Sequence, residues 1–182
     1  NKILKEKLTE KRYNLSVNVS KKAVYLARKY GADVKKAEIA GLLHDITKQT
    51  DEQEQLQLIS DAGMKLSQLE FESKKLWHAL SGAAYLKTKL KIEDEEILNA
   101  VKFHTTGRAG MSLLEKIVFV ADMISEDRTF FEAEKVRKMA EESLDKAVCL
   151  TAVLSMEWLT EKMAKIAPNT LAAYNDTVKS FN

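Results

Sequence analysis

Apolar positions recur with a helical rhythm along almost the whole chain. Val19, Ala23, Leu26 and Tyr30 fall on one helix face, and Gly31 follows as a stop signal. A second helix is predicted over 34–46, where Ile39-Ala40-Gly41-Leu42-Leu43 is apolar nearly all round and therefore central. Thr50-Asp51-Glu52-Gln53 has the capping-box pattern and predicts a helix start, with Leu56 and Ile59 facing inward. A helix over 73–90 comes next. Another places Ile97, Ala100, Val101 and His104 on one face and ends at Thr105-Thr106-Gly107. Ser112-Leu113-Leu114-Glu115 is a second capping box, opening the helix that carries Val118, Ala121 and Asp122. The last third adds a helix over 143–166 and one after Pro168. No repeat, low-complexity tract or linker interrupts the pattern. The fold class is therefore all-α, a compact single-domain helical bundle of eight or more helices over residues 1–182.

Composition narrows the picture. One Pro and six Gly supply too little turn punctuation for an all-β protein. Lys+Arg 29 against Asp+Glu 27 gives a net charge of +2, which argues against a dedicated nucleic-acid binder but leaves room for a small basic pocket. A single cysteine, Cys149, excludes an internal disulfide and fits a reducing compartment. Asn1-Lys2-Ile3-Leu4-Lys5 lacks the apolar run of a signal peptide, and the most apolar stretch, 117–124, is short and broken by Asp122. The expectation is a cytoplasmic protein with no membrane partner.

Chemistry is concentrated where polar residues interrupt apolar faces. His44-Asp45 closes Ala40-Gly41-Leu42-Leu43, His78 sits in Leu76-Trp77-His78-Ala79-Leu80, and His104 shares a face with Ile97, Ala100 and Val101. Asp122 stands among Val118, Phe119, Val120 and Ala121 on the inward side of its helix. A buried carboxylate must be neutralised, paired or bound to metal, so a buried arginine partner is the plain alternative for Asp122. For any one of the histidines, a hydrogen-bonded core residue is the plain alternative. Together, however, all three histidines and two acids occupy apolar faces or helix ends in the order His, Asp, His, His, Asp. Imidazole with carboxylate suits iron, manganese or zinc, whereas an all-oxygen site suits magnesium or calcium.

These words resemble the HD-domain superfamily of metal-dependent phosphohydrolases, and within it the YqeK family. The resemblance is carried by Ala40-Gly41-Leu42-Leu43-His44-Asp45-Ile46-Thr47-Lys48, by Phe103-His104-Thr105-Thr106-Gly107 and by Phe119-Val120-Ala121-Asp122-Met123-Ile124. Weaker echoes are Arg12-Tyr13, Asp127-Arg128 and Pro168-Asn169-Thr170-Leu171. It implies a helical fold with two divalent transition metals, usually iron, with manganese, zinc, cobalt and nickel as alternatives. The implied activity is symmetrical cleavage of diadenosine tetraphosphate to two ADP, so the implied partner is a nucleotide or dinucleoside polyphosphate; a homodimer is compatible with it. By the same resemblance His44, Asp45 and Asp122 hold one metal, and Asp45, His78 and His104 the other. Asp45, Lys48 and Arg128 are the candidate catalytic residues. Lys48, Arg128, Thr105, Thr106 and Gly107 are candidates for binding phosphate or nucleoside. Lys48 reads equally as a helix-end lysine, Arg128 as a surface ion pair, and Thr105-Thr106-Gly107 as a plain helix end.

One position departs from the family pattern. Where the family's opening word has a ligand histidine, this chain reads Arg12-Tyr13-Asn14-Leu15-Ser16, with Leu15 one turn before Val19 on the inward face. Asn14 points about 100° away on a helix and does not replace it. Two rivals to the hydrolase follow. One is a catalytically impaired relative that binds a nucleotide as a sensor; the other is a helical interaction protein without metal.

Overall fold

The computed structural model describes residues 2–181, and among these there is no strand. Eleven α-helices follow one another: α1 (Lys2–Lys7), α2 (Glu10–Tyr30), α3 (Val34–Leu43), α4 (Glu52–Asp61), α5 (Gln68–Glu72), α6 (Trp77–Thr88), α7 (Glu95–Lys102), α8 (Leu113–Ile124), α9 (Phe131–Glu142), α10 (Leu144–Glu161) and α11 (Pro168–Thr177). Short 3₁₀ turns cover Lys74–Leu76 and Val178–Phe181. No helix among the described residues is long and apolar enough to cross a membrane.

α8 is the central element, as its sequence requires. Ile117, Val118 and Val120 are fully enclosed and Leu114, Phe119 and Ile124 nearly so, so that almost every face of the helix meets protein. Burying each such aliphatic side chain stabilises the fold by about 1.5–3 kcal/mol. α2, α3, α7, α9 and α10 all pack against it, while α4 and α6 pair beside α7, and α11 lies on α10. α2 and α3 approach so closely at Gly41 that a Cβ there would stand 2.9 Å from the Ser20 Cα. That contact brings the first half of α2 against the segment that follows α3.

Several helix ends differ from the sequence expectation. α3 stops at Leu43 rather than 46, and 44–49 turns tightly through bonds from Ile46 N–H to the Leu43 carbonyl and from Lys48 N–H to the Asp45 carbonyl. α7 stops at Lys102, so His104 lies in the following turn and not on the helix. The cause is the same in both. His44 Nδ1 donates to the Gly41 carbonyl (2.7 Å) and His104 Nδ1 to the Val101 carbonyl (2.7 Å), the acceptors that the next residue's N–H needs for helix to continue. The stretch expected as one helix over 73–90 is a 3₁₀ turn followed by α6.

The expected 143–166 helix ends at Glu161, where Met163 takes φ 50°. α4 is capped by Asp51, whose carboxylate accepts from Glu54 N–H, not by Thr50; Ile59 is buried as expected, with Leu58 and Gln55, while Leu56 is half-buried. At α8 only half of the expected box forms. Ser112 accepts from Glu115 N–H, but the Glu115 carboxylate turns to Arg108.

Candidate metal centre

Four separate segments deliver the candidate ligands to one cleft. His44 and Asp45 come from the turn after α3, His78 from the first turn of α6, His104 from the turn after α7, and Asp122 from the last turn of α8. His78 Nδ1 also donates to a carbonyl three residues back, that of Lys75 (2.8 Å). A carbonyl can only accept, so all three rings carry their proton on Nδ1, and a neutral ring then presents the Nε2 lone pair to the cleft. A carbonyl that accepts from Nδ1 in this way fixes the ring so that Nε2 can bind a metal.

The Nε2 atoms and the carboxylates converge. His78 and His104 Nε2 are 3.2 Å apart, and lie 3.3 Å and 3.5 Å from Asp45 Oδ1. His44 Nε2 stands 3.6 Å from Asp45 Oδ2 and 3.9 Å from Asp122 Oδ1. Two triads have the spacing to hold a metal ion, His44/His104/Asp122 and Asp45/His78/His104. Two facing lone pairs repel unless a cation or a proton lies between them, and His44 Nε2 is fully buried without a hydrogen-bond partner. This donor set fits a divalent metal.

Burial and neighbouring charges shift the titration of His44, Asp45, His78 and Asp122. Burial, reinforced by His104, pushes the imidazolium of His44 to lower pKa; His78 is driven well down by burial, His104 and Lys48. Burial would raise the Asp45 carboxyl, but pairing with His44, a hydrogen bond with His104 and pairing with His78 outweigh it and hold Asp45 well below the usual carboxylate range. Asp122 is likewise lowered, with His44 and Arg128 prevailing over burial. Neutral imidazoles and ionised carboxylates are the forms that ligate.

A ring of cations surrounds these groups. Arg12 Nη1 donates to Asp45 Oδ2 (3.0 Å), and Arg128 Nη2 donates to Asp122 Oδ1 (3.1 Å). Lys48 Nζ sits 3.1 Å from His78 Nε2, facing the cleft and not solvent, and burial lowers its pKa. The arginine partner considered for Asp122 thus exists, yet Asp122 also faces His44. Thr105 Oγ1 lies 3.1 Å from His104 Nε2. Leu15 lines the same cavity of about 460 Å³, as do Lys11 and Asp127.

Eight of the residues singled out in the sequence meet here: His44, Asp45, Lys48, His78, His104, Thr105, Asp122 and Arg128. Thr106 and Gly107 do not line the cleft. Thr106 borders a separate small depression with Phe103 and Asn169. Gly107 takes φ 62°, and a Cβ there would stand 3.1 Å from the Ala173 Cβ, so its glycine serves the turn and its packing on α11.

Sequence reasoning missed Arg12 as a partner of Asp45. It also missed a buried polar chain in which Thr47 Oγ1 donates to the His78 carbonyl (2.9 Å) and meets Ser81 Oγ (2.8 Å), while Ser81 donates to Gln55 Oε1 (3.2 Å). This chain ties the segment bearing His44 and Asp45 to the helix bearing His78. Its sequence signal is limited to single polar residues at buried positions, Thr47, Gln55 and Ser81.

Comparison with known proteins finds relatives along most of the chain. The HD domain family matches residues 12–127. The symmetrical bis(5'-nucleosyl)-tetraphosphatase of Halalkalibacterium halodurans is 45% identical, over 95% of this chain and 92% of that protein. The enzyme of the same name from Bacillus subtilis is 40% identical over 94% of this chain and 92% of its own length. Among solved structures, a predicted HD superfamily hydrolase involved in NAD metabolism from Clostridium acetobutylicum superposes with a TM-score of 0.94 at 37% identity, covering 98% of this chain and 95% of that one.

Proposed function

The chain belongs to the HD-domain family, and from that membership we propose that it is a metal-dependent phosphohydrolase cleaving diadenosine tetraphosphate symmetrically. One water is consumed and the central phosphoanhydride is broken, so the products are two ADP. The observation that carries this reading is the convergence of three Nδ1-anchored imidazoles and two carboxylates, with the buried Nε2 of His44 unpartnered. α9 to α11 lie beyond the family match but pack on α8 or on one another, so we read residues 1–182 as one domain.

Five side chains would hold two divalent transition metals, with iron the proposed identity: His44, Asp45 and Asp122 for one, Asp45, His78 and His104 for the other. Such a pair, when bound, polarises a phosphoryl group and activates water. The chain's own contribution is to place and neutralise the substrate. Lys48, Arg12 and Arg128 face the cleft with cations for the polyphosphate oxygens, and Arg128 and Lys48 are the proposed catalytic cations. Thr105 offers a hydroxyl beside His104. That the two Asp45 oxygens face different imidazoles supports a role for it at both sites.

A second reading, a nucleotide-binding relative with weakened catalysis, is favoured by one observation: hydrocarbon from Leu15 lines the cleft wall. Product analysis decides. Protein purified without chelators and incubated with diadenosine tetraphosphate should give ADP alone. ATP with AMP would contradict the symmetrical reaction, and binding without turnover would favour the second reading.

A further inference from the structure

We propose that Arg137, which lies outside the cleft, is a positioning residue that aims Arg128 at the anionic ligand. α8 ends awkwardly for a helix that carries a site residue in its last turn. It has no basic residue there, and its cap Ser125 leaves in extended conformation (φ −55°, ψ 155°) without a glycine. The last carbonyls of such a helix need donors from elsewhere. Arg137, from the middle of α9, supplies them. Its Nε donates to the Ile124 carbonyl (3.1 Å), and its Nη2 to the carbonyls of Ser125 (2.9 Å) and Arg128 (2.5 Å). Nη1 is held by Glu134 Oε2 (3.1 Å). One planar fork therefore gathers three carbonyls across a five-residue turn, a task for which a lysine ammonium has the charge but not the span.

What the turn achieves is the return of Arg128. Its N–H closes onto the Ser125 carbonyl (2.9 Å), its Nε reaches the Asp122 carbonyl (3.3 Å) and its Nη2 the Asp122 carboxylate (3.1 Å). Arg128 is more than a third exposed and its guanidinium is held through Asp122, so its direction depends on the backbone that the Arg137 clamp fixes. A simple helix cap would stabilise the fold and do nothing more. A positioning residue weakens ligand binding when removed, and does so only while Arg128 is present.

This inference rests on the reading of Arg128 as a phosphate ligand, and its test separates the two. Arg137→Lys is compared with Arg128→Ala and with the double variant, using inorganic pyrophosphate binding and diadenosine tetraphosphate turnover by the metal-loaded protein. Trypsin cleavage after Arg128 reports the turn itself. Arg137→Lys should be cut faster after Arg128, bind pyrophosphate about tenfold more weakly, and lose about tenfold in kcat/KM, a coupling of the size seen within one hydrogen-bonded network. In the Arg128→Ala background the further loss should vanish. Unchanged cleavage after Arg128, or losses that add in the double variant, would overturn the proposal. So would a wild-type protein that fails to bind pyrophosphate, because Arg128 would then have nothing to be aimed at. Binding of pyrophosphate without hydrolysis of the dinucleotide counts against the proposed activity alone.

Discussion

The two halves of the cleft are built on different principles. In the half formed by Asp45, His78 and His104, every side chain is at most 5% exposed. Each imidazole there is anchored through Nδ1, and buried polar bonds from Thr47 and Ser81 back the wall. In the other half His44 is enclosed and anchored in the same way, but Asp122 is 22% exposed, Arg128 38%, and Leu15 contributes only hydrocarbon. Low dielectric strengthens charge interactions in the closed half, while solvent weakens them in the open one. Rigidity thus belongs to the closed half and adaptability to the open half. The closed half should bind its cation more tightly.

The largest effect should come from the residue shared by both halves. Asp45→Ala should abolish hydrolysis and deplete both metals, by more than about 100-fold in turnover, beyond what losing a mere outer partner costs. Steady-state assay with elemental analysis checks this; retention of full metal and full activity would show that the carboxylate is not the bridge.

Next comes the clip that braces the closed half. Glu115 is nearly buried (3%) and held by two bonds of 2.7 Å from Arg108, whose guanidinium also stacks 4.4 Å from the Phe103 ring centroid, next to His104. Arg108→Ala leaves that carboxylate uncompensated and should cost about 2–3 kcal/mol, below the usual penalty for a buried pair because Arg108 is itself a third exposed. Denaturant unfolding measures it, and Arg108→Ala with Glu115→Gln should recover part of the loss.

Leu15→His sharpens the contrast from the open side. An imidazole at this cleft position should raise metal occupancy and turnover by about tenfold, the scale of one added metal partner. If instead the variant loses about 1–3 kcal/mol and added metal does not restore it, Leu15 is a core residue and the open half has given up its site. Metal-dependent thermal shifts distinguish the outcomes.

The smallest effect is a pH dependence of the metal-free protein. His44 and His78 titrate below their ordinary value of 6.5 in the fold, so the unfolded chain takes up protons that the native state refuses. Stability is then complete above that value and falls as pH drops beneath it; Asp45, held below 3.8, adds a loss of the same sign at lower pH. Melting temperatures between about pH 7.5 and about pH 5.5 should decline, and less steeply in His78→Gln.

Helix faces were legible because burial imposes a 3.6-residue period: Val19, Ala23 and Leu26 are fully enclosed as read. The ends at Leu43 and Lys102 were not, because His44 and His104 fit the apolar period while their rings compete for the carbonyls that would extend each helix. The ligand set was legible as polar residues on apolar faces. Its supports were hidden by distance along the chain: Arg12 meets Asp45 across 33 residues and Thr47 meets Ser81 across 34. Glu115 was read as half of a capping box because a sequence cannot show that Arg108 competes for it. Thr106 and Gly107 are candidates only through the family word His104-Thr105-Thr106-Gly107, and the turn directs them away from the cleft.

The central claim is that this cleft holds transition metal. Elemental analysis of protein purified without chelators tests it most directly, with Asp45→Ala prepared in parallel. The expected result is iron or another transition metal at about one ion per chain or more, seated first in the closed half, and little in the variant. Cooperatively folded wild-type protein with no iron, manganese, zinc, cobalt or nickel above background would contradict it.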